Sequence, residues 1–260
     1  MSALGSAFAA AKSQDRAALV AYLPAGFPSE QGAVDCLAEM VAGGVDIVEV
    51  GLPYTDPVMD GPTIQAAVDI ALAGGTTTDT VLRTVGAVAD MGVPTLVMSY
   101  WNPIERFGLD RFAAAMAAAG GAGVITPDLT PEEAADWTAA TNAHGIDRVF
   151  LAALSSTDER IARVCQVTNG FVYAGAVMGV TGARTSLSDS VAGLVARVRR
   201  ATDLPVAVGL GVSTPQQAAQ VADFADGVIV GSAFVSAIRE GGPAAAGALA
   251  RALAEGVRRS

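Results

Sequence analysis

Short runs rich in β-branched residues recur along the chain, and each is followed by a longer segment with helical apolar spacing. The runs are ALVAY (18–22), DIVEV (46–50), PTLVMSY (94–100), GVIT (123–126), RVFLAAL (148–154), FVYAGA (171–176), PVAVGL (205–210) and GVIVG (227–231). Segments between them, such as QGAVDCLAEMVAGG and PEEAADWTAATNAHG, place apolar residues on one helical face. Two carry start signals: Thr130-Pro131-Glu132-Glu133 and Thr214-Pro215-Gln216-Gln217 each offer an N-cap threonine, a first-turn proline and an acid or amide at the third position. Strands alternating with helices predict parallel β-α units.

Eight such units in 260 residues fit an α/β fold, a (β/α)8 TIM barrel spanning residues 1–260 as a single domain. An open doubly wound sheet ranks second, since it needs fewer strands or more length. AFAAAKSQDR ahead of the first run reads as an extra N-terminal helix, and PAAAGALARALAEGVRRS as the closing helix. With 52% hydrophobic and 16% charged residues, the chain can build a large core, and disorder is not expected. No apolar run reaches the ~18–20 residues that span a bilayer. The N-terminus lacks a basic start and an apolar core of the signal-peptide kind. A cytoplasmic location is expected. The net charge of −10 disfavours nucleic acid and anionic membrane as partners.

Composition also narrows the chemistry. His144 is the only histidine, so a multi-histidine metal site is excluded, no metal is expected, and no nucleophile elbow accompanies that histidine. It reads as a helix-end residue. Lys12, the only lysine, precedes the first strand and is poorly placed for a Schiff base. Cys36 and Cys165 lie in alanine- and valine-rich surroundings and read as reduced core residues. Carboxylates, hydroxyls and backbone dipoles remain.

In such barrels chemistry gathers at the C-terminal strand ends and the loops that follow. Glu49 ends the second strand and Asp60 lies in the loop after it. Tyr100 and Asn102 follow the third strand, Asp128 the fourth, and Tyr173 lies near the end of the sixth. Gly209 and Gly211 end the seventh strand, while Gly231 and Ser232 end the eighth; both pairs precede helices. Glycines let backbone amides approach an anion, helix N-termini add partial positive charge, and barrels often bind phosphate at these two loops. The long loop 175–187 has the composition of a lid. In VEVGLPYTDPVMDGPTIQ (48–65), a glutamate among valines would hold its proton unusually well, as suits an acid-base. Spacing ranks Glu49 first, Asp60 second and Asp56 as structural; Asp60 or Gly61 could equally cap the next helix.

VEVGLPYTDPVMDGPTIQ closely resembles the signature segment of the tryptophan synthase α-subunit family. The likeness continues through YLPAGFP, MSYWNPIERFG, PDLTPEE, GVTGAR, GLGVSTP and VGSAFV, in order along the whole chain. The resemblance implies a TIM barrel that cleaves indole-3-glycerol phosphate to indole and glyceraldehyde 3-phosphate. It implies that Glu49 is the acid-base at indole C3 and the glycerol hydroxyl, and that Asp60 accepts the indole N–H. Tyr22, Tyr100 and Tyr173 fall among the substrate-binding positions, and Thr181 on the lid threonine. Gly182, Gly211, Gly231 and Ser232 match phosphate-binding positions. The resemblance further implies an αββα heterotetramer in which the β subunit receives indole and carries pyridoxal phosphate, with no cofactor in this chain. The loop with Asp56 and Pro57, with Asn102 and segment 128–133, matches the surface that meets β.

The chain departs from the common family pattern at Tyr54-Thr55, Val58-Met59, Ala176-Val177-Met178 and Thr130. A stand-alone indole-3-glycerol-phosphate lyase is the alternative activity; stimulation by a β subunit would separate the two. A barrel retained only as a binding partner is a third reading, disfavoured because both Glu49 and Asp60 are present.

Overall fold

The computed structural model describes residues 2–175, 184–209 and 211–259. Its strands are β1 (Ala18–Pro24), β2 (Ile47–Gly51), β3 (Thr95–Met98), β4 (Gly123–Ile125), β5 (Asp147–Val149), β6 (Leu151–Ala153), β7 (Val172–Gly175), β8 (Val206–Gly209) and β9 (Gly227–Val230). All pair in parallel, in the order β5-β4-β3-β2-β1-β9-β8-β7-β6. The two ends of that order are the two halves of the fifth predicted strand, separated by Phe150 alone. The sheet therefore closes into the expected (β/α)8 barrel, with one strand broken in the middle. Val149 accepts from Thr126 on one side and Phe150 accepts from Tyr173 on the other, so the chain changes partner at this point.

Strand alternation sorts the core into two shells. Val20, Ile47, Leu96, Ile125, Val149, Ala207 and Ile229 point inward and form one cluster. Their neighbours Leu19, Val48, Val97, Val124, Phe150, Val208 and Val228 point outward against the helices. That period of two is what a parallel sheet buried on both faces requires. Helix α1 (Ala3–Ser13) is the predicted N-terminal helix. Its Leu4, Phe8 and Ala11 join the inner cluster, and Phe8 packs on Phe171 at 5.4 Å between ring centroids. It plugs the bottom of the barrel, so the space enclosed by the strands opens at the top.

A half-buried ion pair ties this lower end. Arg16 donates from Nη1 and Nη2 to Asp46 at 2.6 and 2.7 Å, and Asp46 also accepts from the Leu19 amide at 2.8 Å. The remaining helices are α2 (Glu30–Ala42), α3 (Pro62–Ala73), α4 (Thr78–Ala89), α5 (Trp101–Phe107), α6 (Leu109–Ala118), α7 (Ala135–His144), α8 (Asp158–Val167), α9 (Arg184–Arg199), α10 (Pro215–Ala222) and α11 (Ser232–Gly256). The last is two helices joined at Gly241-Gly242, matching the short and closing helices read from sequence.

One cap differs from expectation. Pro131–Glu133 forms only a 3₁₀ turn, because the Thr130 hydroxyl donates to the Glu133 carboxylate at 2.7 Å instead of accepting a backbone amide. Thr214, by contrast, makes a full capping box with Gln217. His144 sits in the last turn of α7 and contacts Asp110 at 2.8 Å, and both cysteines are free and buried.

Candidate active site

Above the inner cluster the inward positions change character. Tyr22, Glu49, Met98, Leu151, Tyr173 and Gly209 occupy the next layer up and line a cavity of about 490 Å³ at the C-terminal mouth. Glu49 stands opposite Tyr22 on β1 and Leu96 on β3 in strand register. Its side chain is 1% exposed, and Oε1 has no hydrogen-bond partner among the described residues. Burial without a compensating donor pushes its pKa up to about 8, so at neutral pH the carboxyl holds its proton.

Asp60 reaches the same cavity from the loop after β2. Gly61 is the N-cap of α3 and Pro62 its first residue, so Asp60 is left free of capping. The Asp60 carbonyl accepts from Gln65 Nε2 at 2.7 Å, and its Oδ1 accepts from the Tyr100 hydroxyl at 3.3 Å. Partial burial raises the Asp60 pKa, and the bond from Tyr100 opposes that shift.

Two phenols flank the carboxylates. Burial, and then the charges of Glu49 and Asp60, hold both Tyr22 and Tyr173 well above the ordinary phenol range, so they stay neutral. Each is seated over a glycine. A Cβ at Gly51 would lie 2.4 Å from the Tyr22 hydroxyl, and one at Gly209 would lie 2.3 Å from the Tyr173 hydroxyl. Gly209 thus makes room for a ring.

The remaining glycine positions sit at one end of the cavity. Gly211 has φ +69°, a conformation that favours glycine, and lines the cavity with Gly231 and Ser232. The two loops are not equivalent. The start of α10 is closed by its own side chains, with Gln217 accepting from the Ser213 and Thr214 amides. Gly231, the N-cap of α11, supplies no side-chain cap, so the first-turn amides of that helix face the cavity end unpaired by a side chain. Thr181 and Gly182 lie outside the described residues.

Tyr100 is absent from the described residues that line the cavity; it stands behind Asp60, 3% exposed. Asp56 and Asn102 are exposed and Pro57 is half-buried, on the rim outside the cavity. The same loop exposes Val58 (77%) and Met59 (38%). Asp128 accepts from the Trp101 amide at 2.9 Å and so fixes the start of α5. Sequence reasoning missed the apolar wall of Ile64, Met98, Ile125, Leu151 and Ile229. Its signal was the strand alternation, because Met98, Leu151 and Ile229 continue inward rows already visible below them. Among the described residues no group of three His, Cys, Asp or Glu side chains is placed to hold a metal ion.

A family model described as tryptophan synthase alpha chain matches residues 8–258. The tryptophan synthase alpha chain of Acidothermus cellulolyticus is 57% identical over 262 residues, covering 100% of this chain and 98% of the relative. That of Nocardia farcinica is 53% identical, covering 99% and 96%. Among solved structures, a chain of Mycobacterium tuberculosis tryptophan synthase superposes with a TM-score of 0.94 at 50% identity, covering 100% of this chain and 99% of that one. The tryptophan synthase subunit alpha of Legionella pneumophila gives 0.90 at 32% identity, covering 99% and 98%.

Proposed function

The chain belongs to the tryptophan synthase alpha chain family and is a lyase that cleaves indole-3-glycerol phosphate; from that premise we propose that Glu49 and Asp60 carry the reaction. Its products are indole and glyceraldehyde 3-phosphate. The observation that supports this assignment best is the state of Glu49, a buried carboxyl whose Oε1 has no hydrogen-bond partner among the described residues and whose pKa is raised to about 8, on the wall of an apolar cavity.

A carboxyl that rests protonated starts as an acid. Glu49 delivers its proton to indole C3, and positive charge develops at the ring N–H. Asp60, ionised, accepts that N–H and stabilises the charge. Glu49, now a carboxylate, takes the hydroxyl proton from the adjacent glycerol carbon. The carbon–carbon bond to C3 then breaks, its electron pair returns to the ring, and the hydroxyl carbon becomes the aldehyde. The proton removed from the hydroxyl replaces the one given to C3, so Glu49 ends as it began. Tyr22 and Tyr173, neutral and seated over their glycines, wall the indole. The phosphate is held by Gly211, Gly231 and Ser232 near the open N-terminus of α11, with Gly182 the further phosphate position that the family resemblance implies.

The partner is a tryptophan synthase β chain, which carries pyridoxal phosphate and receives indole within an αββα assembly. Asp56, Pro57 and Asn102, with the exposed Val58 and Met59 beside them, form the contact. Glu49→Gln tests the core of the proposal. It should leave the fold intact and reduce cleavage by about 10²–10⁴-fold. Near-normal turnover in that variant would remove Glu49 from the chemistry.

A further inference from the structure

The Tyr100 hydroxyl is shared by two successive residues of the loop after β2. It accepts from the Met59 amide at 3.0 Å and donates to Asp60 Oδ1 at 3.3 Å. No other hydrogen bond of the described residues reaches the Asp60 carboxylate; Gln65 holds only the carbonyl. Tyr100 itself is anchored from behind. It is the N-cap of α5, and the next amide, Trp101, is held by Asp128. Its ring packs on Tyr54 at 5.6 Å between centroids and 37° between planes. The Tyr54 hydroxyl in turn accepts from Asn102 Nδ2 at 2.9 Å. An exposed amide is thereby joined to a half-buried ring, a buried phenol and a carboxylate at the cavity.

We propose that Asn102, Tyr54 and Tyr100 form a brace that aims the Asp60 carboxylate, with Tyr100 as the positioning residue and Tyr54 as the link to the surface. The inference rests on Asp60 acting at the indole nitrogen. Tyr54 matters through its oxygen: a phenylalanine there would keep the ring contact and release Asn102. Tyr100 matters through both bonds, because accepting from Met59 polarises the hydroxyl and strengthens what it donates. Two other phenols face Asp60 from across the cavity, Tyr22 on β1 and Tyr173 on β7, and both respond to its charge. They belong to the substrate walls and leave the brace to Tyr100.

The test is the pH profile of kcat and kcat/KM for indole-3-glycerol phosphate cleavage by the full-length chain. The variants are Tyr100→Phe, Tyr54→Phe, Asn102→Ala and the Tyr54→Phe/Asn102→Ala double, with Asp60→Asn as reference. Tyr100→Phe should lower kcat by roughly tenfold or more, change KM by about twofold at most, and move the acid limb to higher pH, because the carboxylate has lost its donor. Tyr54→Phe and Asn102→Ala should each cost about two- to fivefold, and the double no more than the worse single, since both break one bond. An inactive Asp60→Asn beside an unshifted Tyr100→Phe profile would overturn the brace. Additive losses in the double would remove Tyr54 from it. An active Asp60→Asn would instead overturn the reading of Asp60 on which the brace rests. If Tyr100→Phe fails to fold, the acid limb of Tyr54→Phe decides: a shift supports the brace and an unmoved limb refutes it.

Discussion

The Tyr173 hydroxyl fills the space that any side chain at Gly209 would need, since a Cβ there would lie 2.3 Å from that oxygen and 2.8 Å from two ring carbons. Gly209→Ala should therefore displace the ring and lower cleavage by roughly ten- to a hundredfold. Adding Tyr173→Phe removes the worst contact, and the pair should be less impaired than the separate losses predict. A double-mutant cycle on kcat/KM checks this.

A protonated Glu49 sets the basic limb of the rate. The cleavage kcat/KM should fall as pH rises through about 8, where Glu49 loses its proton in the free enzyme. A rate that instead climbs between pH 7 and 9 would mean Glu49 begins the reaction as a base.

The same burial weakens the fold. In the unfolded chain Glu49 titrates near its ordinary value of 4.5, and in the folded chain near 8. Between those values the folded state holds a proton that the unfolded state has released. Stability therefore falls as pH rises through this window and levels off above it, a penalty on the order of 5 kcal/mol. Glu49→Gln should be more stable than the parent at pH 9, with the gain vanishing below about pH 4.5. Thermal melts at the two pH values measure it.

The Arg16–Asp46 pair makes the opposite kind of contribution. Its side chains are only 13% and 17% exposed. Asp46→Ala leaves the guanidinium and the Leu19 amide without their acceptor, at a cost of about 3 kcal/mol and roughly 6–12 °C in Tm. Asp46→Asn keeps an acceptor for Leu19 and should lose less. Activity at 20 °C should be little changed in either variant.

The two glycine loops can be told apart by kinetics. Thr214→Ala opens the cap of α10, costing about 1 kcal/mol, and should leave KM near normal. Ser232→Ala removes a hydroxyl at the start of α11 and should raise KM several-fold with little effect on Tm.

Which of these features could be read from the chain followed from their range in sequence. The barrel was legible because strand period and helix spacing are local, and Glu49 was legible because an acid interrupting a run of valines at a strand end has no local explanation. The break at Phe150 was hidden, since RVFLAAL satisfies a strand pattern throughout and the change of partner depends on neighbours far along the chain. Gly209 and Gly211 look alike in GLGVSTP, yet one yields to a tyrosine ring and the other adopts φ +69°. The Thr214/Gln217 capping box takes up the first amides of α10, a difference between the two loops that their matching glycine patterns did not show. Spacing put Asp60 ahead of Asp56 but could not secure that order, because the difference lies in Tyr100, which follows another strand at the start of α5.

The pairing of β1 with β9, Ala18 to Gly227 and onward, orders events during synthesis. The first strand and its second neighbour lie at opposite ends of the strand sequence, so β9 is made long after β1. Through most of translation β1 keeps one open edge, and α2 lacks the closing helix that packs against it, where a Cβ at Gly43 would come within 2.6 Å of Ala250. The barrel cannot shut until β9 is made, so a nascent chain stalled before residue 227 should expose a sticky edge of the kind that chaperones protect.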